Sequence, residues 1–291
     1  MFHTLGQIII NGILLGGVYA VMASGLSLIF GVVRVLQISH TILIVLGCYL
    51  SYTLATTLSL DPFLSILITA PLLSILGFAL YRFIVSPLRS GPPVAVLLAF
   101  FGVILILENT AGIIWTTNYN AIYSIYQGRS FVLYGLTFSL PRTMAFAVAS
   151  VMIFALLFFL KRTETGRAIR AVSQDRETAE VLGVDVDRIF LIVFGISTAL
   201  AAVGGSLMGI IYSFYPALHW QWLGVVFSVI VLGGLGQVNG AVLAALIIGT
   251  AESLTTYYVG SQWGPMVAFA ILVVTLVQRP QGLFGTRGAR I

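Results

Sequence analysis

Charged side chains are scarce in this sequence of 291 residues. They make up 8% of the chain and hydrophobic residues make up 59%, whereas about a quarter of the residues in a soluble domain are charged. Several apolar runs exceed the roughly 20 residues that a helix needs to cross a bilayer core, and the short alternating segments of an outer-membrane barrel are absent. This composition excludes a soluble domain. It predicts one all-α, polytopic membrane domain over residues 1–291, a helix bundle of about 8–10 transmembrane helices.

Several residue types that carry chemistry are also rare. Lys161 is the only lysine and follows a leucine, so the chain lacks the G-x-x-x-x-G-K-[ST] loop that binds nucleotide phosphates. The histidines His3, His40 and His219 lie in different segments without an H-E-x-x-H motif, which argues against a metal site. Cys48 is the only cysteine, so no internal disulfide can form. We expect no catalytic residue, no metal site and no cofactor in this chain.

Nine apolar segments are long enough to be membrane spans. The first 30 residues contain no lysine or arginine, so a cleaved signal peptide would lack its basic region, and we expect the first segment to be a retained span. The number becomes eight or ten if 222–258 is a re-entrant pair or if the long first segment is broken. The predicted spans are 6–32, 36–58, 62–85, 93–117, 141–160, 189–214, 222–236, 241–258 and 264–279.

The basic residues indicate how the chain is oriented. If 161–188 lies in the cytoplasm, nine spans that alternate in direction place 12 of the 14 basic residues inside. Only Arg129 and Arg142 are then outside. Cytoplasmic loops carry an excess of lysine and arginine. We therefore predict an external N-terminus and a cytoplasmic C-terminus. The basic residues predicted to be inside are Arg34, Arg82, Arg89, Arg279, Arg287, Arg290 and the six of 161–188.

The segment 161–188 holds six basic and six acidic side chains. Each charge at mid-bilayer would cost roughly 2.5–3.5 kcal/mol, so this segment must lie in water. Its composition from Ser173 to Leu182 is helical: Ser173 or Asp175 can cap the N-terminus, and Gly183 follows where a helix stops. Such a short helix, held between two spans, would suit the docking of a soluble partner. The alternative is a solvated loop.

A glycine-rich run, GGLGQVNG at 233–240, predicts a break in the helix at membrane depth. Irregular backbone is tolerated there only where protein or a water-filled cavity covers it. Pairs of glycines four residues apart, Gly12/Gly16, Gly205/Gly209 and Gly236/Gly240, predict close helix packing.

Motifs along most of the chain resemble one family. The spacing T165-G-R-A-x-R-A, D175, A179 and L182-G-V resembles the cytoplasmic coupling segment of ABC-importer permeases, and most closely that of branched-chain amino acid importers. Further stretches are similar to this family in the same order. They are NGILLGGVYAVMASGLSLIFGV (11–32), SPLR (86–89), VVFSVIVLGGLGQVNGAVLAALIIGTAES (225–253) and QRPQGLFG (278–285).

The resemblance implies a permease subunit of an importer in the bacterial inner (plasma) membrane. Its implied partners are a second, related permease in a heterodimer, two cytoplasmic ATPases that hold ATP and magnesium, and a soluble substrate-binding protein. Branched-chain or related small amino acids are the implied substrates, with urea, amides and small carboxylates as alternatives. The residues implied in coupling to the ATPase are Thr165, Gly166, Arg167, Arg170, Asp175, Ala179, Leu182 and Gly183.

Polar side chains inside the predicted spans are candidates for the translocation pathway. Ionisable groups in a membrane are costly and suggest function, although interhelical hydrogen bonding would equally explain them. Around His40, the stretch 37–41 differs from the N-F-A-H-G-like run of many relatives, which leaves the substrate open. The candidates are Asn11, Tyr19, His40, Glu108, Asn109, Gln237 and Glu252.

Two other classes of function compete with an importer subunit. A stand-alone secondary transporter or channel would favour paired intramembrane charges or an inverted repeat, and no strong repeat is visible. An intramembrane enzyme would need a nucleophile and a base at one level, yet Ser24, Ser27 and Ser39 have no evident charge-relay partner. We therefore expect ATP hydrolysis to occur in separate subunits and not in this chain.

Overall fold

Helices account for nearly all of the regular structure. The computed structural model describes residues 2–89, 91–279 and 281–283. Arg287 and Arg290, which were counted above as cytoplasmic, lie outside the described residues, as does most of 280–291. The elements are α1 (Phe2–Val33), α2 (His40–Thr57), α3 (Pro62–Leu80), a π-helical turn (Tyr81–Val85), α4 (Ser86–Leu88), α5 (Pro93–Trp115), β1 (Ser130–Leu133), β2 (Leu136–Ser139), α6 (Leu140–Arg162), α7 (Glu164–Gln174), α8 (Arg176–Val181), α9 (Val186–Ile211), α10 (His219–Gly233), α11 (Val238–Tyr258) and α12 (Gly264–Gln278).

Nine helical segments within the described residues have the length and hydropathy to cross a membrane. The prediction of an all-α polytopic bundle is confirmed, and among the predicted counts the structure agrees with nine. Several boundaries differ from the prediction by a few residues. The second span begins at His40 instead of 36, the sixth begins at Val186 because Asp185 caps it, and α10 begins at His219 instead of 222.

Helix α1 lies at the centre of the bundle. It packs most extensively on α11 and also contacts α9, α6 and α10. A Cβ added at Gly12 would lie 2.5 Å from the Cα of Thr250, and one at Gly16 would lie 2.7 Å from the carbonyl oxygen of Ala245. Only glycine allows the α1 and α11 backbones to approach so closely. The predicted close packing at Gly12/Gly16 is therefore confirmed.

Contacts between loops divide the bundle into two faces. On one face, Gln7 binds the backbone of Thr137 in the β1–β2 hairpin, and Asn120 pairs with Phe214. On the opposite face, the Leu283 amide donates to the Leu232 carbonyl at 2.8 Å. The hairpin lies between the predicted spans 93–117 and 141–160, where no strand was predicted.

The glycine-rich run breaks the helix between α10 and α11, as predicted, but the break forms the turn between these two spans beside Leu232 and does not lie midway along a span. Gly234 and Gly236 have φ angles of 90° and 82°, which side-chain-bearing residues rarely adopt. Gly236 also lies against Gly31 of α1, where an added Cβ would come within 2.6 Å of the Gly31 Cα. The irregular backbone is therefore covered by α1 at this point.

Candidate functional site

The charged segment 161–188 is ordered as two short helices between spans α6 and α9. Thr163 caps α7, and its side chain accepts a hydrogen bond from the Gly166 amide at 3.0 Å. Asp175 then adopts an extended conformation, with φ −146° and ψ 109°, and separates α7 from α8. The prediction of a helix from Ser173 to Leu182 is thus corrected: Ser173 belongs to α7, and the second helix begins after Asp175.

Asp175 is the cap of α8, the second of the two predicted alternatives. Its Oδ1 accepts from the Thr178 amide at 3.2 Å, and its Oδ2 accepts from the Thr178 hydroxyl at 2.5 Å. These hydrogen bonds, first the one from the hydroxyl and then the one from the amide, lower the pKa of the Asp175 carboxyl below its usual value. The carboxylate is the form that caps the helix, so the cap is complete at neutral pH.

The end of α8 leads directly into span α9. Gly183 has a φ of 87°, and the amide of Val184 donates back to the Ala179 carbonyl at 3.0 Å, as expected for a glycine that ends a helix. Two residues later, the Asp185 side chain accepts from the Arg188 amide and begins α9. The two helices are therefore joined to both neighbouring spans by capped turns instead of flexible linkers.

The two helices have an anchored side and an exposed side. Gly166, Ile169, Val172 and Ala179 are buried against the bundle. An added Cβ at Gly166 would come within 2.6 Å of the Leu160 carbonyl oxygen. Gly166 and Ala179, both predicted to couple to an ATPase, thus hold the helices in place and cannot themselves contact a soluble partner.

The tip of α8 is apolar and open to solvent. Val181 is 87% exposed and Leu182 is 77% exposed. Adjacent exposed apolar side chains on a charged segment are typical of a contact surface. Of the other predicted coupling residues, Arg167 and Arg170 are exposed on α7 and Thr165 is partly buried. We call the exposed surface of α7 and α8, with Val181 and Leu182 at its end, the coupling knob.

A polar cluster of Tyr81, Arg89 and Asp187 connects the end of this segment to the region that follows α3. The guanidinium of Arg89 forms an ion pair with Asp187 at the start of α9. The Tyr81 hydroxyl donates to the same carboxylate at 2.9 Å. Asp187 thus connects α9 to the π-helical turn and α4, a link that the sequence interpretation does not contain because these residues lie about 100 positions apart.

Two of the predicted pathway residues bind each other. The Tyr19 hydroxyl of α1 donates to Oε2 of Glu252 in α11 at 3.0 Å, and both side chains are buried. A carboxylate in an apolar bundle needs such a partner. The hydrogen bond therefore links α1 and α11. This agrees with the alternative reading of Glu252 as an interhelical hydrogen-bonding residue.

Glu108 binds a residue that the sequence interpretation did not select. Its Oε2 lies 3.1 Å from Nε2 of His219, the first residue of α10, and the His219 ring is buried. Nothing in the sequence connects the two, because they are 111 positions apart. The pair lies beside a cavity of about 380 Å³. The cavity is lined by Glu108, Asn109, Gly112, Ile113, Thr117, Tyr215, Pro216 and Ala217.

The other predicted pathway residues are dispersed. His40 is buried, with Nε2 2.9 Å from the Met22 carbonyl oxygen. Asn109 lines the cavity, although its side-chain amide donates to its own helix. Asn11 lies near the N-terminal end of α1, and Gln237 lies in the turn before α11. The structure therefore brings together Glu108 with Asn109 and Tyr19 with Glu252, but it does not gather the predicted set into one site.

Gln37 is a buried polar residue that is not among the predicted pathway residues. Its side chain is fully buried between α1 and α2, and both amide atoms lack a hydrogen-bond partner within the described part of the chain. In the sequence, only its place in the polar stretch 37–41 would have pointed to Gln37 as a candidate. Within the ranges that the structure covers, no three potential metal-ligating side chains converge.

Comparison with known proteins places this architecture among transport permeases. A family model described as "Branched-chain amino acid transport system / permease component" matches residues 8–276. The high-affinity branched-chain amino acid transport system permease protein BraD of Pseudomonas aeruginosa is 29% identical, covering 98% of this chain and 97% of the relative. The corresponding protein LivH of Escherichia coli is 28% identical over 96% of this chain and 95% of the relative.

A second type of permease is similar over a shorter region. The high-affinity branched-chain amino acid transport system permease protein LivM of Escherichia coli is 27% identical over 143 residues, which are 47% of this chain and 33% of the relative. No solved structure matches this chain.

Proposed function

Because this chain belongs to the family of branched-chain amino acid transport system permease components, we propose that it is a transmembrane subunit of an ATP-driven importer for branched-chain or related small amino acids. The observation that carries this proposal is the coupling knob, a pair of capped helices between two spans with an exposed apolar tip. A surface of this kind can receive mechanical work from a soluble subunit without adding charge to the bilayer.

The importer would contain several further subunits. A second, related permease would complete the membrane part as a heterodimer, a proposal supported by the partial similarity of this chain to LivM. Two cytoplasmic ATPases would bind ATP and magnesium, and a soluble binding protein would deliver the substrate. With Lys161 as its only lysine and no P-loop, this chain would act as a permease without hydrolysing ATP itself.

The distribution of arginines supports an orientation in the bacterial inner membrane. Arg34, Arg89 and the coupling knob lie on one face of the bundle, and Arg279 ends α12 on that same face. The N-terminus, Arg129 and the β1–β2 hairpin lie on the other. The positive-inside rule then assigns the knob and the end of α12 to the cytoplasm and the N-terminus to the exterior.

Work done on the knob would reach the centre of the bundle through packed helices. Movement of α7 and α8 would be transmitted to α6 and α9, because Thr163 and Asp185 cap the junctions tightly. Helix α9 packs against α1, α2 and α3, and α1 packs against α11. Closely packed helices move as units because their interiors resist compression.

The cavity beside Glu108 and Asn109 is the best candidate for part of the substrate route. It lies on the face assigned to the exterior, and a carboxylate and an amide line its otherwise largely apolar wall. Weak contacts of this kind would allow a delivered amino acid to leave again. Asn11, Tyr19, His40 and Glu252 would support the route from within the bundle, and Gln237 would do so from the turn before α11.

Substitutions at the knob test the proposal. We expect a double substitution, Val181→Asp with Leu182→Asp, to leave membrane insertion unchanged, because both side chains already face water. It should reduce retention of the ATPase subunits on the purified complex, and ATP-dependent leucine uptake into proteoliposomes, by about tenfold or more, since the loss of central interface residues costs about 2 kcal/mol or more. Val132→Asp, at an apolar residue that is 67% exposed in the β1–β2 hairpin on the opposite face, is the matched control and should retain the ATPase subunits.

Two further variants address the geometry of the knob. Asp175→Arg removes the cap of α8, and Gly183→Pro is incompatible with the positive φ angle at that turn. Both should abolish ATP-dependent uptake at normal membrane levels. Normal uptake in all three variants would refute the coupling role. Gradient-driven uptake by the isolated chain would instead support a stand-alone transporter, and uptake of urea instead of leucine would redirect the substrate assignment.

A further inference from the structure

A second cavity, of about 400 Å³, opens on the face of the bundle that carries the coupling knob. It lies where the end of α1, the corner between α4 and α5, and the starts of α8 and α9 meet. Three arginines contribute to its wall and no acidic residue does. The lining includes Arg34, Arg89, Arg176, Val33, Leu88 and Val94.

The three guanidinium groups are only partly neutralised. Arg89 is paired with Asp187, which is not among the residues that line the cavity. Arg176 lies 5.6 Å above the ring of Phe190, a contact that orients the guanidinium without cancelling its charge. In the described ranges, neither Arg34 nor Arg176 forms a salt bridge. Arg34 also lies close enough to Asp175 for its charge to add to the hydrogen bonds that lower the pKa of that carboxyl. Three arginines against the two neighbouring carboxylates, Asp175 and Asp187, leave the cavity with a net positive charge and several open hydrogen-bond donors.

The backbone conformation at Arg34 is a second indication that the arginine side chain has a role at this position. Arg34 directly follows α1 and has a φ of 58°. Glycine or asparagine usually occupies this left-handed position after a helix, because other side chains strain the backbone there. An arginine at this position places a guanidinium at the cavity mouth at a conformational cost that glycine would avoid.

The rest of the wall is apolar and lies at the ends of membrane spans. Val33 ends α1 and Val94 lies in the first turn of α5. Val94 is 59% exposed, and the neighbouring Leu98 is 64% exposed, on the outer surface of the bundle. The cavity thus joins a positively charged rim to an apolar surface that continues along a span.

We propose that this cavity binds an anionic phospholipid, with its phosphate on Arg34 and Arg176 and an acyl chain along Val33, Leu88 and Val94. Arginine recognises phosphate oxygens through two parallel hydrogen bonds, and basic pockets between transmembrane helices on the cytoplasmic side suit anionic headgroups. Because Arg176 is the first residue of α8, the lipid would hold the coupling knob against α9. The inference does not depend on which substrate is transported.

Other occupants fit the cavity less well. A free phosphate would satisfy the arginines but leave the apolar wall uncovered. The C-terminal segment of a second copy is rich in arginine, so it would be repelled by the rim. A phospholipid matches both halves of the cavity.

Lipid binding to the purified full chain in dodecylmaltoside tests the proposal. Native mass spectrometry would measure binding of dioleoylphosphatidylglycerol and, as the zwitterionic comparison, dioleoylphosphatidylcholine. We expect tighter binding of the anionic lipid, and a loss of about fivefold in its affinity for Arg34→Gly and for Arg176→Gln, since an arginine near an anionic headgroup contributes about this factor. Arg34→Gly should remain folded, because glycine adopts the positive φ angle freely.

Arg82→Gln is the matched control, because Arg82 is an exposed arginine on the same face that does not line the cavity. It should retain affinity for phosphatidylglycerol, and millimolar inorganic phosphate should not displace the lipid. Equal binding of both lipids, an equal loss in Arg82→Gln, or unchanged affinity in Arg34→Gly and Arg176→Gln would overturn the proposal. Displacement by phosphate would show that the cavity takes a free anion instead.

Discussion

The contact between α1 and α11 offers a sharp test of how this bundle is held together. Gly249 of α11 faces Gly12 and Gly16 of α1. A Cβ added at Gly249 would lie 2.6 Å from the Gly12 carbonyl oxygen and 2.6 Å from the Cα of Gly16. Both neighbours are backbone atoms, so no rotation of a side chain can relieve the overlap. The substitution Gly249→Ala therefore forces the two helices apart.

The size of the effect follows from these distances. Ordinary contact begins at 3.4 Å, so the helices must separate by about 0.8 Å, the difference between the two distances. A gap of 0.5–1 Å removes about a quarter to a half of the dispersion energy of each atom pair along the contact. Overpacking of this kind typically costs about 1–3 kcal/mol. The hydrogen bond between Tyr19 and Glu252, 3.0 Å long, joins the same two helices and would be stretched as well.

Gly102→Ala is the matched control for this experiment. Gly102 also lies in a transmembrane helix, but an added Cβ there would have no neighbour within 4 Å. Alanine favours a helix over glycine by about 1 kcal/mol in water, so this variant should be neutral or stabilising. Unfolding of the purified chain by dodecyl sulfate, followed by tryptophan fluorescence, measures both variants. Equal free energies of unfolding for Gly249→Ala and Gly102→Ala would refute the packing argument.

Three further predictions concern the polar groups. Glu108→Gln, beside the cavity, should lower leucine uptake more than Glu252→Gln, and equal, negligible effects in a proteoliposome assay would remove both residues from the route. Tyr19→Phe leaves the buried Glu252 carboxylate without its donor and should cost about 1–3 kcal/mol of unfolding free energy, measured by the same dodecyl sulfate titration; no change would mean that Glu252 finds another partner. The hydrogen bonds from Thr178 lower the pKa of the Asp175 carboxyl from its usual value of 3.8. The stabilisation from the cap is therefore present at neutral pH. It is lost only as the pH falls below 3.8 and through the lowered pKa of the folded protein. Hydrogen exchange in α8, corrected for its intrinsic pH dependence, should therefore be equal at pH 7 and pH 5 in the wild type, and Asp175→Ala should exchange faster at both; a loss of protection between these pH values would contradict the assignment of the cap.

The elements that depend on local physical chemistry could be predicted from the sequence. Span length against bilayer thickness predicts nine spans, and nine helical segments within the described residues have the length and hydropathy to cross a membrane. The glycines at 234 and 236 predict the break between α10 and α11, because only glycine adopts those φ angles readily. Asp175 and Gly183 similarly predict the ends of α8. The sequence missed α7 because its charged composition resembles that of a solvated loop.

What only the tertiary structure decided is which side chains meet. Glu108 with His219, Tyr19 with Glu252, and the three arginines of the second cavity come from distant parts of the chain. The physical reason is that lipid and the bundle interior are almost equally apolar. The sequence of a span such as α6, which has a buried and an exposed side, therefore carries little periodic signal to tell its buried face from its lipid-facing side. Local rules determine where each helix begins and ends, and packing alone determines which polar groups share a site.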